Sequence, residues 1–107
     1  MIVYEVNLVF NASVATSFLS WLEVHIHDML QLETFDWARL YERESEGQGT
    51  VARTVHYGAQ SRVALERYFA EDMVQMVQDG LDRFNGQFTA DRRVLTETQV
   101  FSGPALA

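Results

Sequence analysis

The sequence predicts an α+β sandwich in which one four-stranded antiparallel sheet carries two helices on one face. Three observations predict it. Short β-branched and aromatic runs alternate with two longer amphipathic runs, in the order strand, helix, strand, strand, helix, strand. The chain has 107 residues, 48% of them apolar and 12% aromatic, which is one domain with one core. Almost nothing is left over: residues 1–100 read as that domain and residues 101–107 as a tail carrying the only proline, Pro104.

Ile2 to Phe10 is rich in β-branched and aromatic residues and reads as a strand. Ile2, Tyr4, Val6, Leu8 and Phe10 share one face, and Val3, Glu5, Asn7 and Val9 share the other. The second face is only half polar, so the strand is expected in the middle of the sheet, covered on both sides. Asn11 or Ser13 is placed to cap a helix running to about Leu32. Its apolar stripe is Val14, Phe18, Leu22 with Trp21 beside it, His25 or Ile26, and Met29, while Thr16, Ser20, Glu23, His27 and Gln31 form the wet face.

Phe35 to Glu44 alternates as a second strand, Glu44 to Thr50 is a glycine-containing hairpin loop, and Val51 to Ala59 is a third strand. Ser61 caps a single second helix with the stripe Leu65, Tyr68/Phe69, Met73, Met76, Gly80 and Phe84. Asn85-Gly86 ends it, both residues tolerating a left-handed conformation. Phe88 to Val100 reads as the last strand. The order βαββαβ with both crossovers on one side is the ferredoxin-like arrangement. The face away from the helices would carry residues such as Val3, Val9, Leu40, Val55 or Leu95, depending on register. An apolar open face implies a two-fold homodimer that stacks sheet on sheet; the alternative is a monomer with a modest apolar patch.

Composition excludes several functions. There is no cysteine, hence no disulfide, thiolate metal site or Cys nucleophile. A net charge of −7, with every basic residue an Arg, disfavours phosphate backbones, so no nucleic-acid partner is expected. The N-terminus lacks a basic region and a cleavage site, and no apolar run approaches the length of a membrane span. The expectation is a cytoplasmic protein with no membrane partner. Nucleophilic triads, phosphate loops, zinc patterns and nucleotide-fold glycines are absent, so no metal and no cofactor is expected.

The candidate chemistry is sparse. His25 lies on the apolar stripe of the first helix, aimed at the sheet; it is either a general base or ligand-orienting group in a helix–sheet pocket, or a buried histidine satisfied by a neighbour. His27 points away from it into solvent, so the two cannot chelate one metal. His56 on the third strand would approach His25 if it faced the helices. Glu5 and Asn7 share a strand face for which Arg53 and Arg92 or Arg93 are cross-strand candidates, either as an anion site or as a structural ion pair for Glu5. Arg39, Tyr41 and Arg43 mark an edge strand. Trp21 and Trp37, with Phe35, either line a cavity or fill the core. Asp72, near the stripe of the second helix, is an acid/base candidate or a solvated margin residue.

The opening MIVYEVN, the helix WLEVHIHDML, the stretch SRVALERYFAEDM and the closing DRFNGQFTADRRVL together resemble a small bacterial family catalogued as a domain of unknown function, within the dimeric α/β-barrel group of ferredoxin-like proteins. The resemblance covers Met1 to about Val100. It implies a pocket between sheet and helices, of the kind used in that group by cofactor-free monooxygenases, small isomerases and some haem-degrading enzymes, with His25 matching the pattern of the first helix. It implies no activity, because fold does not transfer function. Asp72 stands where the resemblance implies a His, which puts any shared acid/base role there in doubt.

Three functions are therefore carried forward. The first is a homodimer binding a small, partly apolar and in one variant acidic ligand at Tyr4, Trp21, His25 and Met29. The second is a cofactor-independent monooxygenase or isomerase with His25 as base and His56 or a Tyr as its polar neighbour. The third is a structural or protein-interaction dimer whose interior is filled.

Overall fold

The computed structural model describes residues 1–44 and 47–106. Four strands, β1 (Ile2–Asn11), β2 (Phe35–Arg43), β3 (Thr50–Ala59) and β4 (Phe88–Thr96), form one antiparallel sheet in the order β2-β3-β1-β4. β1 is central and β2 is an edge, as their side-chain patterns predict. α1 (Ala15–Gln31), α2 (Arg62–Glu71) and α3 (Met73–Phe84) supply the buried Phe18, Leu22, Met29, Leu65, Tyr68 and Phe84 to a core shared with Tyr4, Leu8, Phe10, Val55 and Tyr57 of the sheet. This is the ferredoxin-like α+β sandwich. No helix among the described residues is long and apolar enough to cross a membrane.

Five local expectations are corrected. Neither Asn11 nor Ser13 caps α1. Asn11 still belongs to β1, its amide donating to the Gln87 carbonyl at 3.0 Å, and a 3-10 turn over Ala12–Val14 separates strand from helix. The single second helix is two, turning at Asp72 (φ −114°, ψ −30°), whose short polar side chain makes it a weak helix former. The i→i−4 bonds Asp72 N–H to Tyr68 O and Met76 N–H to Asp72 O survive, so the chain bends there without unravelling. Ser61 does cap α2, accepting from Ala64 N–H at 3.0 Å. At the end of α3 only Gly86 is left-handed (φ +78°), while Asn85 is not.

β4 ends at Thr96 and does not reach Val100, because Thr96 already faces Ile2, where β1 begins, and only one further bond, Glu97 N–H to Met1 O at 2.9 Å, follows. In the hairpin loop between β2 and β3, Ser45 and Glu46 lie outside the described residues, as does Ala107 of the tail.

The fifth correction concerns β2. A bulge between Phe35 and Trp37 breaks the alternation, so Phe35 faces the helices and Trp37 faces away. Trp37 then lies across Gly58, where a Cβ would come within 2.1 Å of its Nε1, and Arg39 stacks on its ring at 4.7 Å. Trp37 therefore cannot share a cavity with Trp21 and Phe35.

Candidate functional site

Register sorts the titratable residues onto two faces. Leu40 and Val55 pair with each other, and Val55 with Val6, which places both on the helix side and not on the open face. The open face carries four cross-strand rows: Trp37–Gly58–Val3–Leu95, Arg39–His56–Glu5–Arg93, Tyr41–Thr54–Asn7–Asp91 and Arg43–Ala52–Val9–Thr89. Its middle is polar, the Trp37–Leu95 end is apolar, and the Arg43–Thr89 end is mixed.

Glu5 is the centre of that polar middle and is only 5% exposed. Its Oε1 lies 2.8 Å from His56 Nε2, and its Oε2 accepts from Arg93 Nε and, at 3.0 Å, from Asn7 Nδ2. Asn7 Oδ1 in turn accepts from Arg43 Nη1 at 2.9 Å and Thr54 Oγ1 at 2.7 Å. Burial alone would raise the Glu5 pKa, but the hydrogen bonds from Arg93, His56 and Asn7 outweigh it and hold the carboxyl at about 2. An ionised carboxylate only accepts, so His56 Nε2 carries the proton of that bond. The ion-pair expectation for Glu5 is thus met by Arg93. Arg53 and Arg92 are on the helix side, opposite Leu8 and Val6. His56, being on the open face, does not approach His25.

On the helix side, one cavity of about 40 Å³ lies between the sheet, α1 and α3. Tyr4, Trp21, His25 and Met29 all line it, joined by Tyr57, Tyr68 and Arg92. Trp21 is fixed by donating its Nε1–H to Asp79 Oδ2 at 2.8 Å, which ties α1 to α3. Gly80 makes room for this: a Cβ there would sit 3.0 Å from the Trp21 ring. His25 stacks on Trp21, ring centroids 4.6 Å apart. Burial pushes the His25 pKa down, against the fields of Asp79 and Asp28, so the ring is neutral at pH 7. The Tyr4, Tyr57 and Tyr68 rings stack or tilt against one another and Phe35, and burial raises all three hydroxyl pKa values. The hydroxyls therefore remain protonated donors. Tyr68 Oη donates to Met29 Sδ at 3.6 Å, so Met29 meets a side-chain hydroxyl before it meets anything in the cavity.

Sequence reasoning missed Tyr57, Tyr68 and Arg92. The periodicity that put Tyr4 inward applies equally to Tyr57 and Arg92, but choosing their faces needed the register. Asp72 sits at the bend between α2 and α3 and is not among the residues lining the cavity. Among the described residues no group of three or more His, Asp and Glu could hold a metal ion.

With this geometry in place, the comparisons with known proteins are specific about family. Residues 1–98 match the family described as Domain of unknown function (DUF4286). The chain belongs to that family. No curated protein matches it. Several solved structures share the fold. A variant of SnoaB, a cofactor-independent oxygenase from Streptomyces nogalater, superposes with a TM-score of 0.68 at 16% identity, covering 95% of this chain and 98% of its own. HapK from Hahella chejuensis gives a TM-score of 0.67 at 12% identity, covering 96% of each chain. A dimeric ferredoxin-like protein from an uncultured marine organism gives 0.64 at 14% identity, covering 92% of this chain and 97% of its own. At such identities the DUF4286 chain shares with them a fold and no more.

Proposed function

We propose that this DUF4286 protein is a homodimer that holds a small, partly apolar ligand between helices and sheet. The observation that carries the reading is that His25, Trp21, Arg92 and the three tyrosines Tyr4, Tyr57 and Tyr68 line one cavity with Val6, Leu22 and Phe88. A few oriented polar groups in an apolar wall are what a small-molecule site requires. Dimerisation through the open face is supported by its half-buried apolar end, Val3, Trp37 and Leu95, with Val9 in the mixed row at the other end, and by the dimeric marine neighbour. The test is a screen of small aromatic and cyclic compounds followed by NMR. Binding should shift the Trp21 indole and His25 ring signals first. A screen in which no compound moves either signal or the melting temperature overturns the reading and leaves a structural dimer with a water-sized void.

A second reading, a cofactor-independent oxygenase or isomerase with His25 as base, draws on the fold shared with SnoaB. A neutral His25 lining the same cavity as Tyr4, Tyr57 and Tyr68 suits proton abstraction. Oxygen uptake or isomerisation of a bound compound, abolished in His25→Gln, supports it; unchanged compound after prolonged incubation overturns it.

A further inference from the structure

The cavity is lined by a cation, Arg92, that forms no ion pair among the described residues. Arg92 reaches it from β4, half-buried, opposite Val6. The ion pairs among the described residues are Glu5 with His56 and Arg93, Arg62 with Glu66, and Arg83 with Asp79; Arg92 is in none of them. Its guanidinium lies beside the Tyr4 hydroxyl, and its field also reaches Tyr57, Tyr68 and His25. A partly desolvated guanidinium that hydrogen-bonds a neutral Tyr4 hydroxyl and pairs with no carboxylate keeps its full charge unbalanced at the cavity wall. Its neighbours reinforce that bias, since the Tyr4 and Tyr57 hydroxyls stay protonated, the His25 imidazole is neutral and none of them carries negative charge.

We infer that Arg92, with the Tyr4 hydroxyl beside it, is the anchor for a carboxylate, so that the ligand is a small apolar carboxylic acid bound through its ionised group. This rests on reading the cavity as a ligand site. The guanidinium fork matches a carboxylate with two parallel N–H···O bonds, a match a neutral amide cannot make. The 40 Å³ takes the carboxylate group and not a ring. The apolar body extends through the cavity's open side, past Met76, which lines the same cavity and whose three rotatable bonds let it give way. An acid with a small flat body fits this better than a long chain or a polar diacid.

Benzoate and benzamide, equal in shape and different in charge, test the inference. Each is titrated into the full chain at pH 7 by NMR, following the Trp21 indole N–H. Benzoate is expected to bind about tenfold or more tighter than benzamide, the worth of one charge-assisted bond over a neutral one. Arg92→Gln is expected to remove that preference, bringing benzoate down to the affinity of benzamide. Equal affinities in the unaltered protein overturn the carboxylate anchor and leave the ligand site standing. A preference that survives Arg92→Gln overturns the assignment to Arg92. If neither probe moves the Trp21 signal at millimolar concentration, the anchor is rejected, and failure of the wider compound screen then rejects the site as well. The comparison of the two probes needs no variant, so a poorly folded Arg92→Gln does not rescue the idea.

Discussion

Glu5 and His56 face each other across the β1–β3 ladder, Oε1 to Nε2 at 2.8 Å, on the sheet face turned away from the helices. With Arg93 on its other oxygen, Glu5 is buried and ionised at the centre of a face that has no helix over it.

Replacing Glu5 with Gln keeps its shape and removes its charge. At pH 7 this is expected to cost about 1.5–3 kcal/mol, the range for hydrogen bonds to charged groups. The pH dependence follows from a folded-state pKa of about 2 against an ordinary 4.5. The native state favours the ionised form, so this stabilisation is complete above 4.5 and is lost as the pH falls towards 2. Urea unfolding of both proteins at pH 7, 4 and 2.5 checks it. The two curves should converge with acidification, and a constant gap would sink the assignment.

His25 has the opposite chemistry and the same sign. Its folded-state pKa lies below 6.5 because burial disfavours the imidazolium. The unfolded chain therefore binds the proton first, and this contribution to stability is lost as the pH drops below about 6.5. NMR titration of the ring should give a midpoint under that of a model histidine, and His25→Gln should flatten the stability profile between pH 6.5 and 5. A His25 midpoint at or above 6.5 contradicts the packing against Trp21.

Gly58 is the floor on which Trp37 lies. Gly58→Ala places a methyl within the ring, so Trp37 must swing outwards, at about 1–3 kcal/mol, the usual range for overpacking. Trp37 emission should shift to the red. Combined with Trp37→Ala, the glycine substitution should cost far less, a coupling that a double-mutant cycle reads directly.

The open face predicts its own assembly. If two copies stack there, more than about 1,000 Å² is buried and the melting temperature rises with protein concentration. Leu95→Glu, in the Val3–Trp37 row, should give a monomer in sedimentation without unfolding it. A concentration-independent melt, or a Leu95→Glu variant of unchanged mass, shows that the face is not the interface.

Side-chain periodicity and the Ser61 cap determined the order of the strands, the helical stretches between them, the central place of β1, the edge at β2 and the placement of Tyr4, Trp21, His25 and Met29 towards one side, but not the division of the second stretch into α2 and α3. These are local properties, since alternation along a strand and the 3.6-residue stripe of a helix are visible in one dimension. Tertiary structure decided everything that depends on register or on a break in period. The bulge at Phe35/Trp37 sent Trp37 to the open face. The pairing of β1 with β3 and β4 gave Glu5 to His56 and Arg93 and left Arg92, its neighbour in sequence, inside the cavity. Adjacent strand residues point to opposite sides, so a shift of one residue exchanges the two arginines, and only the hydrogen-bonded ladder between distant segments fixes which of them meets the carboxylate.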